Sequence, residues 1–309
     1  MRKFLYNTFL YLLPIFLLIL FIEMEYRSIP NDWSYKSQSI ENMKEKIEIL
    51  AIGSSLIYGG VNPKYFNQKC YNFGMNDQSI NYNYFILKKY IDELPNLQYV
   101  IMSLSYPALA YRLEEGKAAF KKYYYIHYMN YNKLTLKDIT SPEYYLTISN
   151  QSGTTVLKRL FQYWFYNKNN TTCDSNGWFN NWPEVLPTDS LKRTLAINEA
   201  KHHENYSFDP QNMEYLNKII QLCAEQNVKL LLFTPPSTSY YINHFDPKKK
   251  EMLQRKGDSI ASQYSFVRYI NLLNNTTFTD SLFMDGTHLN TTGSKILSKK
   301  LNTMIKTPE

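Results

Sequence analysis

Ile47-Glu48-Ile49-Leu50-Ala51-Ile52-Gly53-Ser54-Ser55-Leu56 is the stretch that decides the fold of this chain. Its first six residues form a short apolar run broken only by Glu48, the pattern of a strand buried on both faces. Gly53 ends the run, and the serines that follow carry the chain into a helix through a tight turn. A serine at such a turn exposes its hydroxyl at the edge of a sheet. Backbone N–H groups at the start of the next helix lie beside it and can hold negative charge. A Gly-Ser-Ser turn after a strand is ordinary by itself, so its meaning depends on what the rest of the chain brings near it.

The chain beyond this stretch repeats the same alternation. Tyr71-Asn72-Phe73 is a short strand that ends at Gly74. Ile80–Leu94 has helical spacing, with Tyr84, Leu87, Ile91 and Leu94 on one stripe. Tyr99–Leu104 is a third apolar strand. Asp209-Pro210 opens a helix with a capping residue and a proline at its first position. Val228–Phe233 follows as a buried strand stopped by Thr234-Pro235-Pro236. A helix over about 248–264, with Lys248, Lys249 and Lys250 on its first turns, leads to the strand Phe266–Leu272. The last helix is expected from about Thr292 to Ile305. Strands alternating with helices predict an α/β fold: a doubly wound, mostly parallel sheet of about five strands, covered on both faces.

The alternation lapses between Tyr111 and His203. Residues 111–203 read as a partly helical insert between the third and fourth strands, packed over the carboxyl ends of the strands, where open α/β sheets bind their ligands. The insert holds Tyr123-Tyr124-Tyr125, Trp164, Trp178 and Trp182. These aromatic residues suit a saccharide platform or, equally, the insert's own small core.

At the N-terminus, Arg2 and Lys3 precede an apolar run from Phe4 to Ile22. That is close to the roughly 20 residues that cross a bilayer. Basic residues before the run and Glu23 and Glu25 after it place the N-terminus in the cytoplasm. No small-x-small cleavage site follows Ile22, so the run reads as an uncleaved anchor rather than an export signal. The expected organisation is an anchor at 1–22, a polar linker at 23–45, and one domain at 46–309 outside the cytoplasm.

Composition narrows the function. The 309 residues include 34 Lys+Arg and 27 Asp+Glu, a net charge of +7, yet no basic cluster looks like a nucleic-acid footprint. Ten glycines against 28 tyrosines and 17 phenylalanines argue against disorder and against Gly-rich phosphate loops. Cys70, Cys173 and Cys223 show no metal-ligand spacing, and Cys70 and Cys223 read as buried small hydrophobes. His202, His203 and His244 lack acidic partners at ligand spacing and His127 sits among tyrosines, so neither a metal nor a cofactor is expected.

A second chemical element precedes the last helix: Asp285-Gly286-Thr287-His288-Leu289-Asn290. A histidine can take a proton from a serine hydroxyl. A carboxylate three residues earlier can fix its tautomer and stabilise the imidazolium.

A serine turn after the first strand, a glycine turn after the second and D-x-x-H before the final helix together resemble the SGNH/GDSL hydrolase family. The resemblance spans residues 48 to 297. It implies a flavodoxin-like fold with Ser55 as nucleophile, His288 as base, Asp285 as its acidic partner and Gly74 in the oxyanion hole. The anchor, Asn72-Phe73-Gly74 and the strand before Thr234-Pro235-Pro236 look most like the envelope-facing branch. That branch includes alginate-type O-acetyltransferases and the D-alanine transfer protein of teichoic acids. It implies an esterase or O-acyltransferase acting on an acylated cell-envelope glycan or similar ester, served by a membrane acyl-donor partner protein.

Two positions depart from the family pattern. Ser54 replaces the aspartate before the nucleophile. Ser103-Leu104-Ser105-Tyr106 stands where the family carries Gly-x-Asn-Asp, so Ser105 takes the place of the oxyanion asparagine. The literal Gly74-Met75-Asn76-Asp77 comes too early in the topology for that block, although Asn76 could still donate into the site. These departures leave a second reading open: a degenerate domain that binds an envelope polymer or scaffolds a partner complex.

Overall fold

The computed structural model describes residues 1–183 and 186–306. Two helices, α1 (Arg2–Ser28) and α2 (Asp32–Met43), precede the first strand, β1 (Ile49–Ile52). The turn at Ser55 enters α3 (Ser55–Tyr58), and β2 (Cys70–Asn72), α4 (Ile80–Tyr90), β3 (Tyr99–Ser103) and α5 (Tyr106–Ala110) follow. The long connection to the fourth strand holds α6 (Lys121–Met129), α7 (Leu136–Thr140), α8 (Pro142–Tyr145), α9 (Gly153–Tyr166), α10 (Asp189–Glu204) and α11 (Pro210–Glu225). Then come β4 (Lys229–Thr234), α12 (Ser239–His244), α13 (Pro247–Gln263), β5 (Val267–Asn271) and α14 (Thr291–Lys306). The chain divides into two compact units, Met1–Ser37 with Ala119–Thr172, and Gln38–Ala118 with Cys173–Glu309.

The second unit carries the sheet. Its five strands lie in the order β2-β1-β3-β4-β5. Every pairing is parallel, with Ile49 opposite Cys70 and Tyr99, Ile101 opposite Leu231, and Phe233 opposite Ile270. This is the doubly wound α/β architecture that the alternation predicts. The chain reverses its direction of travel across the sheet between β1 and β3, which opens a crevice at their carboxyl ends. One face of the sheet presents Ile49, Ala51, Ile101, Leu231 and Phe233 to Ile57 and Val61, and to Leu297, Leu301 and Ile305 of α14. Each of these side chains larger than Ala51 gains about 1.5–3 kcal/mol on leaving water. Period-two alternation sends Leu50, Ile52, Val100 and Met102, all fully buried, to the other face. On the helical layer, α4 packs on β1 and α11, α11 on β4, and α13 on β5. Strand limits differ from the sequence reading by one or two residues, a normal margin at element ends.

The first unit is helical among its described residues. The apolar window of α1 has none of its residues buried within the chain. Residues 23–45, expected as a polar linker, are mostly helical instead. α1 continues through Ser28 because its tail has something to pack on: Tyr26 and Ile29 are buried with Val156 and Leu160 of α9. The Glu23 carboxylate accepts from the backbone N–H groups of Thr147 (2.8 Å) and Ile148 (3.1 Å), and Arg27 pairs with it. In α2, Ile40 is fully buried. A linker reading rested on polarity and could not register these widely spaced apolar anchors.

Residues 111–203 do not form one body. Ala119–Thr172 belongs to the first unit, and the remainder belongs to the second. Tyr124 and Tyr125 place their rings 4.8 and 6.1 Å from that of Trp33. Tyr123 and Tyr125 are buried. The tyrosine run is therefore core of its own unit.

Candidate active site

Ser55 reaches the sheet edge through a turn that only glycine permits. Gly53 has φ +156°, and a Cβ there would meet Ile57 Cγ1 at 2.4 Å. The Ser54 carbonyl accepts from the N–H groups of Ile57 and Tyr58, and Ser55 is the first residue of α3. The far end of α3 is held by Asn72, which is fully buried at the end of β2. Its Nδ2 donates to the carbonyls of Val61 (2.6 Å) and Ile57 (2.7 Å), with a longer bond to Tyr58. The Ser55 turn is thereby fixed to the sheet at both ends.

The Asp285–His288 loop is equally constrained. Asp285 Oδ1 accepts from the backbone N–H groups of Thr287 (3.0 Å) and His288 (2.8 Å). The Gly286 carbonyl accepts from the Thr238 N–H at 2.9 Å. The Met284 N–H donates to the His288 carbonyl at 2.8 Å, and Phe283 bridges to Leu289. Asn290 then starts α14, its side chain accepting from the Gly293 N–H.

These two loops bring three predicted residues together. Ser55 Oγ lies 2.8 Å from His288 Nε2. On the other side of the ring, His288 Nδ1 lies 2.8 and 3.0 Å from the two oxygens of Asp285. A proton on Nδ1 donated to Asp285 leaves Nε2 as an acceptor for the Ser55 hydroxyl.

A second acidic group stands behind the pair. Glu199 of α10 accepts a hydrogen bond from Thr287 Oγ1 at 2.6 Å. Burial, and then the charge of Asp285, push its carboxyl up to about 7. Burial acts to lower the His288 pKa. The Asp285 carboxylate and its hydrogen bond, then Glu199 and Asp77, outweigh it and raise the ring to about 9. Asp285 is held below its usual range. Burial opposes this, but the imidazole and the N–H groups of His288 and Thr287 prevail. Among the described residues, Glu199, Asp285 and His288 also form the one group of three potential metal ligands, with donor atoms within 4.8 Å of one another. Two of those donors already face each other in the Asp285–His288 pair.

The Ser55 hydroxyl and His288 open onto a cavity of about 180 Å³ whose lining includes Ser105, Tyr111, His203, Tyr206 and Tyr241. Burial drives the His203 imidazole down to about 4, aided by the nearby positive groups, so it is neutral near pH 7. It pairs through Nδ1 with the Tyr241 hydroxyl at 2.8 Å. On the other side of Ser55 a small cleft is closed by Trp182 and Leu297.

The remaining predicted donors are placed unevenly. Ser105 lines the cavity, and its Oγ accepts from the Ala108 N–H, leaving the hydroxyl proton available. Gly74 is not in the cavity lining. Its N–H donates to Asn72 Oδ1 at 2.8 Å. A Cβ there would meet the Tyr58 nitrogen at 2.6 Å, so its lack of a side chain serves the packing of β2 on α3. Asn76 is exposed, and the cavity is lined instead by the next residues, Asp77, Gln78 and Ser79.

Sequence reasoning missed Glu199 and the clamp made by Asn72. A carboxylate on a charged helix reads as solvated. The available signal was small: Ala196 and Ala200 flank Glu199 on one helical face, and both are fully buried. Two alanines at that spacing mark a face that packs closely. A Cβ on Gly286 would meet Ala196 Cα at 2.9 Å.

No family model matches the sequence, and no curated protein matches it. Solved structures do align along most of the chain. One, provisionally described as a platelet activating factor from Streptococcus pneumoniae, aligns with a TM-score of 0.42 and 11% identity, covering 95% of this chain and 98% of that one. A provisionally described acylhydrolase from Bacteroides fragilis gives 0.42 and 10%, covering 87% and 96%. A member of the lipolytic protein G-D-S-L family from Veillonella parvula gives 0.39 and 10%, covering 84% and 100%. Likenesses this distant assign no role to any residue here, and the chemistry must come from the site itself.

Proposed function

We propose that the chain is a serine-dependent acyl esterase or O-acyltransferase. The observation that carries this reading is the continuous line of hydrogen bonds from Ser55 Oγ through His288 to Asp285. In the proposed reaction, Ser55 Oγ attacks an ester carbonyl and passes its proton to His288 Nε2. Asp285 stabilises the imidazolium. The Ser55 N–H, at the first position of α3, and the Ser105 hydroxyl support the oxyanion. The tetrahedral intermediate collapses, His288 returns the proton to the leaving alcohol, and an acyl-Ser55 ester remains. Water or a sugar hydroxyl then attacks that ester, giving hydrolysis or transfer.

The substrate reading is an acylated cell-envelope glycan. It is supported by the cavity, whose volume suits a small acyl group, and by an uncovered apolar helix suited to anchoring the chain at a membrane. A degenerate, binding-only domain is the second reading. It is favoured by one observation, the engagement of the Gly74 N–H with Asn72, which leaves fewer oxyanion donors.

The purified chain should react with a fluorophosphonate probe, and peptide mapping should find the adduct on Ser55. Ser55→Ala should lose both labelling and turnover of small aryl esters, the latter by roughly 10⁴-fold or more. An unlabelled Ser55 in a folded chain would leave the binding-only reading standing.

A further inference from the structure

We propose that the exposed apolar stripe of α9 lies in the interfacial layer of the bilayer that α1 enters. This inference rests on the membrane reading of α1. The helix α9 has two apolar faces. Val156 and Leu160 are buried against Tyr26 and Ile29 at the end of α1. The neighbouring face carries Leu157, Phe161, Trp164 and Phe165, spaced at i, i+4, i+7 and i+8, and these are 62%, 51%, 49% and 68% exposed. Phe161 and Phe165 put their ring centroids 4.7 Å apart, so the stripe is a continuous surface. An uncovered patch of this kind marks an interaction surface.

Its position along α1 points to lipid as the occupant. The Trp164 ring lies 6.5 Å from that of Phe21, inside the apolar run. Its Nε1 donates to Glu25 Oε2 at 2.8 Å, one turn beyond the run. Trp164 thus straddles the place where α1 changes from apolar to charged. Tryptophan and tyrosine concentrate at that depth because their rings are apolar and their N–H or O–H groups need a polar partner. Exposed Lys158 in α9 and Lys168 just beyond it supply positive charge suited to anionic headgroups. The stripe continues the uncovered face of α1, so one medium covers both. A hydrophobic anchor with an amphipathic helix at its rim fixes the rotation and tilt of the first unit, which a single span leaves free.

The test uses the full chain in vesicles of phosphatidylcholine and phosphatidylglycerol. Environment-sensitive probes are placed at Leu12→Cys and Phe165→Cys; the native cysteines are buried and react slowly. Lipids carrying nitroxides at two acyl depths and aqueous iodide serve as quenchers. The expected result is quenching of the Leu12 probe by the deep nitroxide, and of the Phe165 probe by the shallow nitroxide with shielding from iodide. A lipid-quenched Leu12 probe beside an iodide-quenched Phe165 probe would overturn the proposal and leave the span intact. Both probes open to iodide would refute the span reading and the proposal with it. A Phe165 probe shielded from iodide and from both nitroxides would mean that protein covers the stripe, which also overturns it.

Discussion

At the scale of single residues, the pH dependence of turnover is the sharpest consequence. In the proposed reaction His288 must be neutral to accept the Ser55 proton, and its ring is raised to about 9. Turnover should therefore climb with pH through about 9 and level off above it, instead of levelling near the ordinary histidine value of about 6.5. Asp285→Asn removes the largest influence that raises the ring, so the inflection should fall, with a loss of rate on the order of 10⁴-fold. Glu199→Gln removes a second charge without touching Ser55 and should move the inflection in the same direction; an unmoved pH–rate profile in that variant would make Glu199 a packing residue only. The meeting of Ser55, Asp285 and His288 was legible in the sequence because a glycine turn after the first strand and a D-x-x-H before the last helix occur together, although neither says much alone. Glu199 was not, since its role arises from the approach of α10 to the Gly286 loop. Gly74 shows the converse. The glycine is visible in the sequence, but its N–H goes to Asn72, a partner two residues away that only the folded turn reveals.

At the scale of elements, the short helix α3 depends on Asn72. Four residues cannot sustain a helix by their own hydrogen bonds. Asn72 supplies the missing restraint by holding the carbonyls of Ile57, Tyr58 and Val61. Asn72→Ala should remove the side-chain donor to the Val61 carbonyl, while the Ile57 and Tyr58 carbonyls keep the N–H groups of Val61 and Phe179, lowering stability by about 1–3 kcal/mol in urea unfolding. Turnover should fall even where the variant remains folded, because α3 then holds Ser55 loosely. Gly286→Ala should show the same coupling from the other side, since a Cβ there collides with Glu199 and Ala196. The central strands β1, β3 and β4 were readable as nearly unbroken buried apolar runs, while the edge strands β2, with Asn72, and β5, with Arg268 and Asn271, were readable from their place in the alternation. Residues 23–45 were not, because Tyr26, Ile29 and Ile40 are too sparse to show a period. The insert was bounded from sequence by the loss of alternation, but its partition between two units depends on contacts of Trp33 with Tyr124 and Tyr125, which no local pattern encodes.

At the scale of the whole molecule, the membrane reading predicts that α1 stays attached. The helix α1 runs unbroken through Ile22 to Ser28, and Glu23 and Tyr26 just beyond are buried in the first unit, so the bond after Ile22 lies in packed helix rather than in an extended cleavage site. Sequencing of the mature protein should find its N-terminus ahead of residue 22, and reporters fused after residue 60 should behave as exported. The site itself is assembled from distant parts. Ser55 and His288 are 233 positions apart. The final helix α14 crosses back to the start of the domain, where Ser298 Oγ accepts from the Asn62 N–H at 2.8 Å, and the Tyr99 hydroxyl donates to the Ile305 carbonyl. On the proposed mechanism, a chain made N-terminus first therefore presents Ser55 long before His288. Without the Asp285–His288 loop Ser55 would be an ordinary alcohol, and a chain truncated before residue 285 should ignore a fluorophosphonate entirely. Reactivity on that mechanism would therefore belong to finished molecules alone.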